Sequence, residues 1–163
     1  AYRDESTTWV DVVDEVRWIN KGSAFLWVTE RDGWRHIYRV PRGATGTTAA
    51  QLVSNFQADA MDVAGTDEAG GWVYFLPSPS NATQQYLYRS KIDGTGAPEP
   101  VTPADQPGWH TYDLAPGARL AFHTYSRIDR PAVTDVVELP THRSLRAQAR
   151  LSQRRASSIE SGG

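Results

Sequence analysis

Between Trp9 and Pro140 the chain alternates short apolar or mixed runs with turns rich in Gly, Pro, Asn and Asp, and no stretch carries an apolar stripe at helical spacing. The runs predict strands at Val16 to Ile19, Phe25 to Thr29, Arg35 to Val40 and Gln51 to Val53. A second set follows at Ala60 to Ala64, Trp72 to Leu76, Gln85 to Ser90 and Pro100 to Thr102, and a third at His110 to Ala115, Leu120 to Tyr125 and Val133 to Leu139. Asn20-Lys21-Gly22, Asp32-Gly33, Asp93-Gly94 and Pro116-Gly117 supply the residues that turns with positive φ require.

The three sets repeat. Phe25-Leu26-Trp27-Val28 aligns with Val73-Tyr74-Phe75-Leu76 at a spacing of 48, and that run with Leu120-Ala121-Phe122-His123 at a further 47. Tyr38 recurs as Tyr88 and Leu52 as Val101. Three strands and a closing fourth in each repeat of about 40–50 residues is the signature of propeller blades, small sheets that bury both faces against their neighbours. A β-sandwich has strands at similar spacing but does not repeat a four-strand pattern in register. The sequence thus predicts an all-β chain, a partial β-propeller of about three four-stranded antiparallel blades. Their bounds fall near 9–57, 58–107 and 108–140, and residues 141–163, rich in Arg, read as a polar linker or tail.

Composition narrows the function. With 163 residues, 39% of them hydrophobic, one domain with its own core is the expectation. A net charge of −2 supplies no field for nucleic acid or an anionic membrane surface, so neither is predicted as a partner. The absence of cysteine excludes thiol nucleophiles and thiolate metal sites.

Candidate chemistry is sparse. No Gly-x-Ser-x-Gly elbow is present, and Ser23, beside Gly22, reads as a turn residue. His36, His110, His123 and His142 show no helical ligand spacing and read as separate residues bonding locally. The carboxylate pairs Asp11/Asp14 and Asp59/Asp62 read as turn caps, and the stretch Gly65 to Gly71 as a loop without phosphate-binding spacing. Asn81-Ala82-Thr83 is a glycosylation sequon, which matters only in a secreted eukaryotic protein. No catalytic residue, metal or cofactor is predicted.

Several motifs carry a resemblance. Trp9-Val10-Asp11, the run from Phe25 through Glu30-Arg31-Asp32-Gly33-Trp34 to Tyr38, and Tyr86-Leu87-Tyr88-Arg89 are three of them. Gly94, Thr102, Gly108-Trp109-His110, His123-Thr124-Tyr125-Ser126 and Pro131 are the others. Together these resemble the N-terminal propeller of the dipeptidyl peptidase IV family, in a bacterial form, from about Trp9 to Arg143. The resemblance implies a parent serine peptidase that removes Xaa-Pro or Xaa-Ala dipeptides from peptide N-termini. In that family the propeller caps an α/β-hydrolase domain, and a pair of propeller glutamates grips the substrate amine. It implies a periplasmic or secreted location, and as partners the rest of the propeller, the hydrolase domain and a peptide substrate. Asp4-Glu5 lacks the context of the glutamate pair. Val12, Val13 and Asp14 fall where some relatives set an aromatic and an arginine against the substrate, and so mark a candidate substrate-facing loop.

The resulting expectation is a non-catalytic propeller segment that walls and gates the cavity of such a peptidase. Two alternatives are a free-standing interaction scaffold and a carbohydrate-binding β-module that uses Trp34 and Trp109. Three blades also leave two terminal faces uncovered, which predicts self-association of the segment.

Overall fold

A computed structural model describes residues 16–46, 48–79 and 81–147. These form three four-stranded antiparallel sheets, each a meander in chain order. The first comprises β1 (Arg17–Ile19), β2 (Ala24–Thr29), β3 (His36–Pro41) and β4 (Gln51–Leu52). The second comprises β5 (Ala60–Asp67), β6 (Trp72–Pro77), β7 (Tyr88–Lys91) and β8 (Glu99–Pro100). The third comprises β9 (Trp109–Leu114), β10 (Leu120–Arg127), β11 (Arg130–Glu138) and β12 (Arg143–Ala147). This is the three-bladed propeller arc that the sequence predicts.

Two expectations change. Residues 143–147 are not linker: they form β12, which pairs with β11 from Glu138↔Arg143 to Asp135↔Ala147. An outermost strand meets solvent and carries charge to avoid further pairing, so its arginines hide it from an apolar-pattern search. The rest of the expected tail, 148–163, lies outside the described residues. The third repeat is also one residue out of step. Cross-strand pairs Trp18↔Phe25, Thr66↔Val73 and Leu114↔Ala121 are equivalent, so the spacing is 48 at both steps (25, 73, 121). A one-residue slip exchanges the two faces of a strand. Ala121 and His123 therefore enter the core, and Leu120 and Phe122 face outwards.

The middle sheet is covered on both faces, which is why Trp72 to Pro77 reads as one apolar run without alternation. Val73 and Phe75 point into a cluster with Ile19, Ala24, Leu26 and Ile37 of the first sheet. Tyr74 and Leu76 point the other way, to Ala121, Val137 and Leu139 near the third. Phe56, in the connection between sheets one and two, meets the Phe75 ring edge-on at 5.8 Å.

Backbone bonds tie the blades together. Ala60 N donates to Arg35 O at 2.7 Å, and at the next junction His110 N donates to Gln85 O at 3.1 Å. The reciprocal acceptor differs: Arg35 N donates to the Asp59 carboxylate at 2.8 Å, whereas Gln85 N donates to Gly108 O at 3.1 Å. Within each of the first two blades a hydroxyl replaces the strand ladder where the fourth strand ends. Ile37 N donates to Ser54 Oγ at 2.8 Å and Leu87 N to Thr102 Oγ1 at 2.7 Å. Strand β5 packs along β9, and Gly65 permits it, since a Cβ there would lie 2.9 Å from Leu114 Cδ2.

The end faces are open. Trp18 is 54% exposed on the first sheet and Phe122 62% exposed on the third, whereas Phe75 is 0% exposed. Two outcomes follow from that contrast. Phe75→Ala should cost about 3–5 kcal/mol in a urea titration, because it empties a packed site, while Phe122→Ala should stay within about 0.5 kcal/mol; equal costs would contradict the assignment of faces. Light scattering at high micromolar concentration should give a mass above that of one 18.1 kDa chain. The double variant Trp18→Glu, Phe122→Glu should lower it, and a strictly monomeric wild type would show that these faces do not associate.

Candidate functional site

Val12, Val13 and Asp14, the residues that the sequence assigns to a substrate-facing loop, lie outside the described residues, as does Asp11. Ser23 sits in the turn after the 3₁₀ segment Asn20–Gly22, where its carbonyl accepts from Arg42 N at 2.8 Å. Asp59 caps the Arg35 amide, and Asp62 stands exposed on β5. The glycine-rich loop is closed by Asp67 Oδ1, which accepts from Gly70 N at 2.9 Å. Asn81 folds its carbonyl oxygen back onto the Thr83 amide and hydroxyl, each at 2.9 Å.

The stretch Thr29 to Trp34 forms the tip of the β2–β3 hairpin, and Asp32 organises it. Its carboxylate accepts from His36 Nδ1 at 2.7 Å, Tyr38 Oη at 2.9 Å and Trp34 N at 3.3 Å. Burial works to raise the Asp32 pKa, but these bonds, led by the one to His36, outweigh it and hold the carboxyl below its ordinary value. His36 uses its other nitrogen on Phe56 O at 2.8 Å, so the hairpin is bolted to the connection that leads into the next blade. The Trp34 ring is left partly in solvent. The residues that carry the family resemblance here do structural work.

The histidines of the third repeat are not separate. His110 on β9 and His123 on β10 meet, with Nδ1 of one 2.8 Å from Nε2 of the other and rings stacked at 5.1 Å. His110 Nε2 donates to Gln106 O at 2.8 Å, and His123 Nδ1 lies 2.9 Å from Asp135 Oδ1. His142, in the turn before β12, lies edge-on to His123 at 4.7 Å and bonds Tyr112 Oη at 2.7 Å. Tyr86 and Tyr125 stack on His110 from opposite sequence neighbours, at 5.7 and 4.5 Å. Desolvation pushes His110, His123 and His142 below the ordinary histidine value, and pushes the Tyr112 hydroxyl well above its own. The signal for this cluster was the hairpin register: once Ala115 N bonds Leu120 O, Tyr112 must face His123 and His110 must face Tyr125.

A groove of about 400 Å³ opens beside this junction, between the 78–87 loop and the β10–β11 hairpin. Gln84, Gly108, Trp109, Ser126, Arg127 and Ile128 line it. Gly108 keeps it narrow, because a Cβ there would lie 2.6 Å from the Tyr125 ring. Among the described residues no serine hydroxyl bonds a histidine, so the groove offers surface rather than a nucleophile–base pair.

Comparison with known proteins bears on what such a scaffold belongs to. Residues 1–132 match the family model described as the dipeptidyl peptidase IV (DPP IV) N-terminal region. The chain is 27% identical over 126 residues to a probable dipeptidyl-aminopeptidase B of Emericella nidulans, covering 72% of this chain but 14% of that protein. Its fold is similar to the crystal structure of Porphyromonas gingivalis dipeptidyl peptidase 4, with a TM-score of 0.76 and 19% identity over 91% of this chain. It is also similar to a putative dipeptidyl aminopeptidase IV from Bacteroides ovatus, with a TM-score of 0.65 and 12% identity over 82% of this chain. It spans 20% and 21% of those two chains. The three repeated sheets, the Asp32-centred hairpin and the family match together show that this chain belongs to the dipeptidyl peptidase IV N-terminal region family.

Proposed function

We propose that the chain is a non-catalytic arc of the propeller of a dipeptidyl-peptidase-IV-like serine peptidase, with blades near 9–57, 58–107 and 108–147. In the parent the arc walls the cavity in front of an α/β-hydrolase domain and restricts entry to short peptides. The parent removes Xaa-Pro or Xaa-Ala dipeptides from peptide N-termini. The observation that carries this reading is the pair of open end faces. Trp18 on one side and Leu120 with Phe122 on the other are exposed apolar side chains, which suits each end to a further sheet. The relatives, of which this chain spans 14 to 21%, have room for such sheets. Val12, Val13 and Asp14 are proposed to face the substrate from the first blade.

Amide hydrolysis needs an activated nucleophile, a base and an oxyanion hole. The purified chain should therefore leave a chromogenic Xaa-Pro amide intact, while the same arc in one reading frame with flanking blades and a hydrolase domain should cleave it. A serine-reactive phosphonate reports contaminating peptidase. Phosphonate-sensitive turnover by the chain alone, abolished when one of its own serines is changed to alanine, would overturn the proposal.

A further inference from the structure

The junction between the second and third sheets contains buried His110 and His123, half-buried His142 and one carboxylate, Asp135, that bonds His123, and nothing in the propeller's scaffolding role requires that composition. We propose that His110, His123 and His142 form an acid-sensitive latch, which holds the third sheet against the second at neutral pH and releases it on acidification.

The argument is a count of hydrogens. Gln106 O can only accept, so His110 Nε2 carries a hydrogen. The Asp135 carboxylate accepts, so His123 Nδ1 carries another. One more fits in the 2.8 Å contact between His110 Nδ1 and His123 Nε2. A fourth would set two N–H groups head to head across that contact. The pair therefore holds one positive charge at most, and Asp135 balances it. His142 faces His123 at 4.7 Å, so a proton on it adds a second charge beside the first with no second carboxylate to meet it. The other groups against the cluster are neutral: Tyr86 and Thr102 from the second sheet, and Tyr112 and Tyr125 from β9 and β10. His110 is 0% and His123 4% exposed, so water screens a charge on that pair little.

Once the junction opens, each imidazole titrates near its ordinary value of about 6.5. The folded junction has room for one added proton where the open one takes three, and burial disfavours charge on all three groups. Stability is thus greatest near neutral pH, where the open junction also holds about one proton, and falls as pH drops below about 6.5. Below about pH 5.5, where the open imidazoles are all charged, each unmatched proton raises the opening equilibrium about tenfold per pH unit, so two raise it about 100-fold.

Hydrogen exchange of the purified chain tests this, with protection factors compared between pH 6.5 and 4.5. Segments 109–114, 120–127 and 130–138 should lose protection steeply below pH 6.5. Strand β6, in a sheet without histidine, should lose far less. His36 bonds within the first sheet and its connection, away from the third sheet. His142→Asn keeps a residue that tolerates the positive φ of 55° at that turn and removes one of the two unmatched protons. It should reduce the slope to about tenfold per pH unit. A third sheet no more pH-dependent than β6, or an unchanged slope in His142→Asn, would overturn the latch.

Discussion

A small twisted sheet has two faces, and in a row of sheets each face needs a neighbour. That constraint governs this molecule. Strand β6 satisfies it completely, with Val73 and Phe75 directed to one neighbour and Tyr74 and Leu76 to the other. Strands β2 and β10 satisfy it on one side, and their other sides carry half-buried Phe25 and Trp27 and exposed Leu120 and Phe122. No sheet of this kind buries enough apolar surface to stand alone. The apolar faces therefore explain why the three blades cohere.

The two junctions solve the same packing problem with different chemistry. The first is aliphatic and aromatic, closed by Phe56 against Phe75 and Tyr88. The second places Tyr112, His110 and His123 where the first has aliphatic or phenyl groups, and every ring nitrogen finds a partner. Buried polar groups are tolerated only when bonded, and a bonded network fixes one arrangement more sharply than an oily contact does. The second junction is accordingly the more specific in geometry.

The Asp32 hairpin shows how a recognisable motif can be structural. Glu30-Arg31-Asp32-Gly33-Trp34 stands out in the sequence because a tight turn, a capping carboxylate and a bolt to the next connection must all fit in a few residues. Its role here is in folding. The groove between the 78–87 loop and the β10–β11 hairpin lies at the equivalent end of the later blades and is likewise shaped by a turn, through Gly108.

Local chemistry alone determined the strands, their turns and their fourfold grouping, because apolar runs, Asp-Gly and Asn-Lys-Gly punctuation and a repeat near 48 residues are properties of neighbouring positions. The same patterns carried the family. Three things were decided only by tertiary structure. Which face of β10 is buried depended on a register that a one-residue slip reverses, and Ala121 and His123 are small or polar enough to disguise the core side. Strand β12 was hidden because an edge strand answers to the backbone of β11 and to solvent, so Arg143 and Arg146 betray nothing apolar. The histidine cluster does not show in the linear pattern because it joins His110 to His123, 13 residues on, and His123 to His142, a further 19 on, and their meeting depends on how β9, β10 and the turn at His142 fold over one another.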